Sequence, residues 1–191
     1  MCGIVGVASS APVNQLIYDA LLLLQHRGQD AAGIVTQLDR KFFMHKAKGM
    51  VRDVFRTRNM RALPGNCGLG QVRYPTAGNA YSEEEAQPFY VNAPFGLVLV
   101  HNGNLTNTGD LAQILDNLRN TGELNFPGSL STTPKATNDT DLIAALMAAH
   151  PERSMESCAM EVLPQLRGAF CLVFMDENTL YAARDPQGIR P

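Results

Sequence analysis

An α+β fold of two mostly antiparallel sheets is what the sequence predicts, and three observations carry the prediction. Several runs are apolar at every position, among them Leu97-Val98-Leu99-Val100 and Phe170-Cys171-Leu172-Val173-Phe174. Strands of that kind need cover on both faces. The helical segments each carry a single apolar stripe, which suits outer layers. Neighbouring strands are joined by short turns, which favours antiparallel pairing over parallel βαβ units. Helix, sheet, sheet, helix is one layering that meets all three constraints.

Residues 3–8 read as a short buried strand. Pro12 then opens a helical pattern, with Val13, Leu16, Ile17, Ala20, Leu21 and Leu24 at helical spacing. It stops at His26-Arg27-Gly28, where basic residues followed by Gly are a common helix end. Gly33 to Thr36 begins a strand, Asp39-Arg40 is a turn, and Lys41 to Ala47 returns. A short helix around Val51, Val54 and Phe55 follows. Leu63-Pro64-Gly65-Asn66 breaks the chain before a strand from Cys67 to Tyr74. Residues 75–85 are polar and read as a mobile loop. Phe95 to Val100 is a strand that runs straight into His101-Asn102-Gly103-Asn104. A helix with Leu111, Ile114, Leu115 and Leu118 on one face comes next, then a Gly-, Pro-, Ser- and Thr-rich loop over 121–138. Helices are expected near 139–149 and 154–166. The last strands are Ala169 to Met175 and Thr179 to Ala183.

The 191 residues are 45% hydrophobic and 18% charged, with 16 basic and 18 acidic side chains and a formal net charge of −2. Such a balance gives no basic surface for nucleic acid and no long apolar span for a membrane. The apolar N-terminus lacks a basic leader and is interrupted by glycines, so the chain reads as cytoplasmic. Cys2, Cys67, Cys158 and Cys171 form no CxxC pair and no disulfide framework. The last three lie in apolar runs and read as core. His26, His45, His101 and His150 show no ligand spacing, so no metal is expected.

Chemistry is suggested first by Met1-Cys2-Gly3-Ile4-Val5. Removal of Met1 would leave Cys2 with a thiol and a free α-amino group. An unperturbed thiol titrates near ~8.5 and an α-amine near ~7.7–8.0, so the amine can take the thiol proton. The alternative is a buried Cys at the start of a strand. Asn102-Gly103 can supply a side-chain amide and a backbone N–H to a developing oxyanion. It is equally the dipeptide of a tight turn. Arg73, at the end of a strand, can grip a carboxylate through two hydrogen bonds, or pair with the acids at 83–85. Asp139 can meet a substrate ammonium, or Asp139 or Asp141 can cap a helix. His26 and His101 read as structural hydrogen-bonding residues, since the α-amine supplies the base.

Five stretches, in this order along the chain, carry a resemblance: Cys-Gly-Ile-Val-Gly at 2–6, His-Arg-Gly-Gln-Asp-Ala-Ala-Gly-Ile at 26–34, Val-Arg-Tyr-Pro-Thr-Ala-Gly at 72–78, Glu-Ala-Gln-Pro-Phe at 85–89 and His-Asn-Gly-Asn-Leu-Thr-Asn at 101–107. With the closing Arg-Asp-Pro-Gln-Gly-Ile-Arg-Pro at 184–191, the chain resembles the glutaminase domain of the glutamine phosphoribosylpyrophosphate amidotransferases, which are class II glutamine amidotransferases. The resemblance implies the four-layer α/β/β/α fold of N-terminal-nucleophile hydrolases over residues 2–191, with the family's C-terminal phosphoribosyltransferase domain absent. It implies Cys2 as nucleophile and Asn102 and Gly103 as oxyanion hole. Arg73 would hold the α-carboxylate of L-glutamine and Asp139 its α-amino group, with Tyr74 and Thr76 beside them. Here Asn138-Asp139-Thr140-Asp141 stands where the family usually has Ser/Thr-Asp-Ser/Thr-Glu. Residues 73–84 would form a lid, and Arg27 and Gly28 the floor.

The resemblance implies a place in purine biosynthesis and in cytoplasmic homo-oligomers. The domain itself needs no cofactor, and magnesium belongs to the missing domain. Amidotransferases of hexosamine-phosphate and asparagine synthesis share the Cys-Gly-Ile start and the Asn-Gly pair. They generally differ at 26–30 and 184–191. A non-catalytic regulatory module is the reading of a different class.

Overall fold

The computed structural model describes residues 1–74, 86–92, 96–121, 138–150 and 152–190. Two four-stranded antiparallel sheets stack face to face. The first runs β1 (Gly3–Ala8), β4 (Cys67–Arg73), β2 (Ala31–Leu38), β3 (Lys41–Lys48). The second runs β5 (Phe89–Val91), β6 (Leu97–Leu105), β7 (Gly168–Met175), β8 (Leu180–Arg184). Helices α1 (Asn14–Leu23) and α2 (Val51–Val54) cover the first sheet. Helices α4 (Thr108–Thr121), α5 (Asp139–Met147) and α6 (Met155–Val162) cover the second. The short α3 (Thr57–Arg61) follows α2. The predicted α/β/β/α layering is the observed one.

Alternation along the strands explains the layers. On β4, Val72 faces α1 with Ile17 and Leu21, while Leu69 faces the other sheet. On β6, Leu97, Leu99 and Leu105 face α4 to α6, while Val98 and Val100 face inward to meet Val35, Leu69 and Met175. Each strand is thus apolar on both faces, as read from the sequence. Fully burying one such aliphatic side chain stabilises the fold by roughly 1.5–3 kcal/mol.

The structure departs from the sequence reading at several points. β1 is an edge strand and half-exposed rather than buried. Gly28 ends the 3-10 turn Gln25–Arg27 in an extended conformation, not a left-handed one. Its lack of a side chain matters for another reason: a Cβ there would stand 2.5 Å from the Arg73 backbone. Asp39 and Arg40 do form the two-residue turn, both at positive φ. β5 and α3 were not anticipated. At three to five residues they are too short to show a period. β6 runs on through Leu105, five residues past its expected end. Cys158 is buried as expected, whereas Cys67 and Cys171 are only partly so. The loops read over 75–85 and across most of 121–138 lie outside the described residues.

Candidate active site

The ladder between β1 and β4 pairs Gly3 with Val72, so Cys2 and Arg73 meet one step further on. Strand alternation turns both side chains toward the second sheet, on the face that carries Ile4 and Leu69. The Cys2 Sγ accepts the Tyr74 N–H at 3.4 Å and lies 3.8 Å from the Tyr74 carbonyl. Tyr74 therefore touches the thiol with its backbone, and its ring is exposed. Arg27 donates its Nε to the Cys2 carbonyl at 3.0 Å, fixing the backbone of the candidate nucleophile. Gly3 is needed beside it, because a Cβ there would press on Leu24 and Val72 at under 3 Å. Met1 is joined to Cys2 here, and its removal would release the amine on Cys2.

Arg73 is buried and pairs through Nη1 with Asp30 Oδ2 at 2.5 Å. The Asp30 N–H in turn donates to the Arg73 carbonyl at 3.1 Å. Asp30 is thus one partner of Arg73, and the acids at 83–85, the other pairing read from the sequence, lie outside the described residues. A guanidinium carries five donors in a planar fork, and a carboxylate on one side orients that fork. Asp30 was missed because it lies 43 positions from Arg73 in sequence; the signal lay in the motif at 26–34, where only Arg27 and Gly28 drew attention.

Asn102-Gly103 is strand, not turn. Asn102 pairs with Cys171 and Gly103 with Phe170 inside the β6–β7 ladder. Gly103 is required by packing: a Cβ would stand 2.3 Å from the Ala169 carbonyl and 2.9 Å from His101 Nε2. Asn102 follows Val98 and Val100 on the face turned to the first sheet, opposite the face of Cys2 and Arg73. The Asn102 side chain is buried.

Asp139 opens α5, but the cap is its neighbour: the Asn138 side chain accepts the Asp141 N–H at 2.9 Å. Asp139 turns instead to β6. It accepts the Leu105 N–H at 3.3 Å and lies 3.6 Å from His101 Nδ1. Burial pushes its carboxyl pKa up. The hydrogen bond and charge of His101, with the Leu105 and Thr140 N–H groups, outweigh that and bring it below 3.8. His101 is buried, with Nδ1 3.1 Å from Thr140 Oγ1. It is the structural hydrogen-bonding residue expected, as is the exposed His26 on the Leu23 carbonyl. Thr76 lies outside the described residues. Among the described residues no cluster of His, Cys, Asp or Glu is arranged to hold a metal ion.

A cysteine at the head of an edge strand, facing the gap between two antiparallel sheets that helices cover on both sides, is the layout of the N-terminal-nucleophile hydrolases. The glutamine amidotransferase domain family matches residues 77–191, and the chain belongs to that family. Over its whole length it is 46% identical to the amidophosphoribosyltransferases of Pasteurella multocida and Escherichia coli K12, covering 38% of each. Two solved structures match it in full. One is glutamine phosphoribosylpyrophosphate amidotransferase from B. subtilis complexed with ADP and GMP, at 31% identity and TM-score 0.81. The other is described as the allosteric regulatory enzyme of purine biosynthesis, at 30% identity and TM-score 0.83. The chain covers 38% of each.

Proposed function

We propose that this chain hydrolyses L-glutamine to glutamate and ammonia through a γ-glutamyl thioester on Cys2. The observation that carries the reading is the placement of Cys2 and Arg73 as ladder neighbours, on the face that looks across the gap to Asn102 on the second sheet. The α-amine freed by loss of Met1 takes the thiol proton, and the thiolate attacks the side-chain amide carbon. Asn102 and the Gly103 N–H hold the oxyanion. The protonated amine returns its proton to the leaving nitrogen, and ammonia departs. Water then attacks the thioester and releases glutamate. Arg73 holds the α-carboxylate and Asp139 the α-ammonium, with Tyr74 and Thr76 completing the pocket. An Asp139 held ionised well into acid is suited to a cationic partner. This half-reaction uses no metal or cofactor.

In the longer amidophosphoribosyltransferases that the chain resembles, a phosphoribosyltransferase domain would receive the ammonia. There it displaces pyrophosphate from phosphoribosyl pyrophosphate to give phosphoribosylamine, with magnesium bound in that domain. This supports a place at the head of purine synthesis, in the cytoplasm, within a homo-oligomer. Among the described residues no helix is long and apolar enough to cross a membrane. The test is ammonia release from glutamine by residues 2–191 with Cys2 at the N-terminus, beside the same chain with Met1 retained. The processed chain should turn over, the unprocessed one should not, and neither should form phosphoribosylamine. Equal turnover by both would overturn the role of the α-amine.

A further inference from the structure

β5 is much shorter than β6. It pairs only Phe89 to Val91 with Leu97 to Leu99, and Pro88, next in line, has no N–H to extend the ladder. In an antiparallel strand the N–H and C=O of one residue point to the same side, alternating along the chain. His101, Gly103 and Leu105 therefore aim their backbone groups where β5 has ended. Buried groups of this kind need partners, and side chains supply them. The His101 N–H donates to Gln87 Oε1 at 2.7 Å, and the His101 carbonyl accepts from Gln71 Nε2 at 2.7 Å. The Leu105 N–H goes to Asp139. Between them, on the same edge, lies the N–H of Gly103.

Both glutamines are buried and held from behind. Gln87 Nε2 donates to Thr140 Oγ1 at 3.2 Å, which ties it to the helix that carries Asp139. Its own carbonyl fills the space where a Cβ on Gly33 would stand. Lys46 Nζ donates to the carbonyls on either side, Ala86 at 2.5 Å and Pro88 at 3.1 Å. Gln71 lies two residues before Arg73 on β4, the strand that pairs with β1 behind Cys2. Its side chain thus spans the gap from the sheet of the nucleophile to the residue preceding Asn102.

We propose that Gln71 and Gln87 are positioning residues for the glutaminase reaction. Clamping both backbone atoms of His101, they set where the Asn102 amide and the Gly103 N–H stand relative to the Cys2 thiol. The inference rests on the glutaminase reading above. Neither glutamine touches substrate. Neither glutamine bonds Arg73 or Asp139 directly, and Asp139 keeps the Leu105 N–H when either is changed, so the larger effect falls on turnover rather than on glutamine binding.

The experiment is steady-state glutamine hydrolysis by the chain with Cys2 at its N-terminus, comparing Gln71→Met, Gln87→Met and Gln71→His at matched folded fraction. The His variant restores a ring N–H at about the reach of the amide. Outright loss of an oxyanion donor lowers kcat about 10²–10³-fold, so displacing both donors should lower it at least about tenfold in the Met variants. KM should stay within about threefold, and Gln71→His should recover most of the loss. If Gln71→Met does not fold, Gln87→Met reads the same clamp from its other atom. Unchanged kcat in the Met variants, a loss confined to KM, or a His variant as impaired as Met overturns the proposal while leaving the glutaminase reading intact. A processed wild-type chain that hydrolyses no glutamine removes the reading and this proposal together.

Discussion

Along β4 the face that meets the second sheet carries Leu69, then Gln71, then Arg73. Along β6 it carries Val98, then Val100, then Asn102. β2 passes from Val35 to Gly33 on the same face, and β7 from Met175 through Val173 to Cys171. One end of the space between the sheets is therefore closed by aliphatic packing, and the other is built of amides, a guanidinium and a thiol. The backbone frame is the same at both ends, and only the side chains on one face of each strand differ. The apolar end fixes the separation of the sheets, and the polar end uses that separation to bring a candidate nucleophile and its donors face to face. Changes at the apolar end should therefore be felt as stability, and changes at the polar end as chemistry.

The largest effect should come from Cys2→Ala, which removes the proposed nucleophile and should abolish glutamine hydrolysis while leaving the unfolding midpoint nearly unchanged. Retained hydrolysis would break the comparison at once. At the apolar end, Leu69→Ala should destabilise by about 2–5 kcal/mol in denaturant titration, with kcat per folded molecule unaltered. Asn102→Ala should do the reverse, lowering kcat by about 10²–10³-fold, or ~3–4 kcal/mol in the barrier. Arg73→Lys keeps the charge but loses the fork. It should raise KM for glutamine by about tenfold or more, the worth of a charge-assisted hydrogen bond of ~1.5–3 kcal/mol, with a smaller change in kcat.

The smallest effect is in pH. Asp139 titrates below its ordinary value in the folded chain, so its contribution to stability is complete above the unfolded aspartate range and is lost as pH falls through the lower folded value. Between about pH 6 and about pH 3 the wild type should therefore lose more stability than Asp139→Asn, by calorimetry at each pH. A parallel loss in both would remove the charge on Asp139 from the account.

The sequence made the layers legible because hydrophobic periodicity reports burial. Runs such as 97–100 and 170–174 could only be strands covered on both faces, and the stripes of α1, α4 and α6 could only be outer layers. The candidate site was legible in part. Cys2, Arg73, Asn102 and Asp139 stood out by residue type and by resemblance. Their supports did not. Asp30, Gln71, Gln87 and Thr140 act through contacts between residues 14 to 53 positions apart, and no period or spacing encodes such contacts. Asn102-Gly103 was ambiguous for a related reason. The dipeptide fits a turn, and only the β7 backbone pressed against Gly103 explains its glycine within a strand. The cap of α5 fell to Asn138 because Asp139 was drawn to the open edge of β6.

The most direct test of the central claim, that the polar end of the sandwich is a glutaminase site with Cys2 as its nucleophile, is an intact-mass measurement. The chain lacking Met1 is treated with a glutamine-shaped electrophile, with and without excess glutamine. A single adduct that maps to Cys2 and is suppressed by glutamine is the predicted result. Labelling spread over Cys67 or Cys171, or a Cys2 adduct that glutamine does not protect, would contradict it.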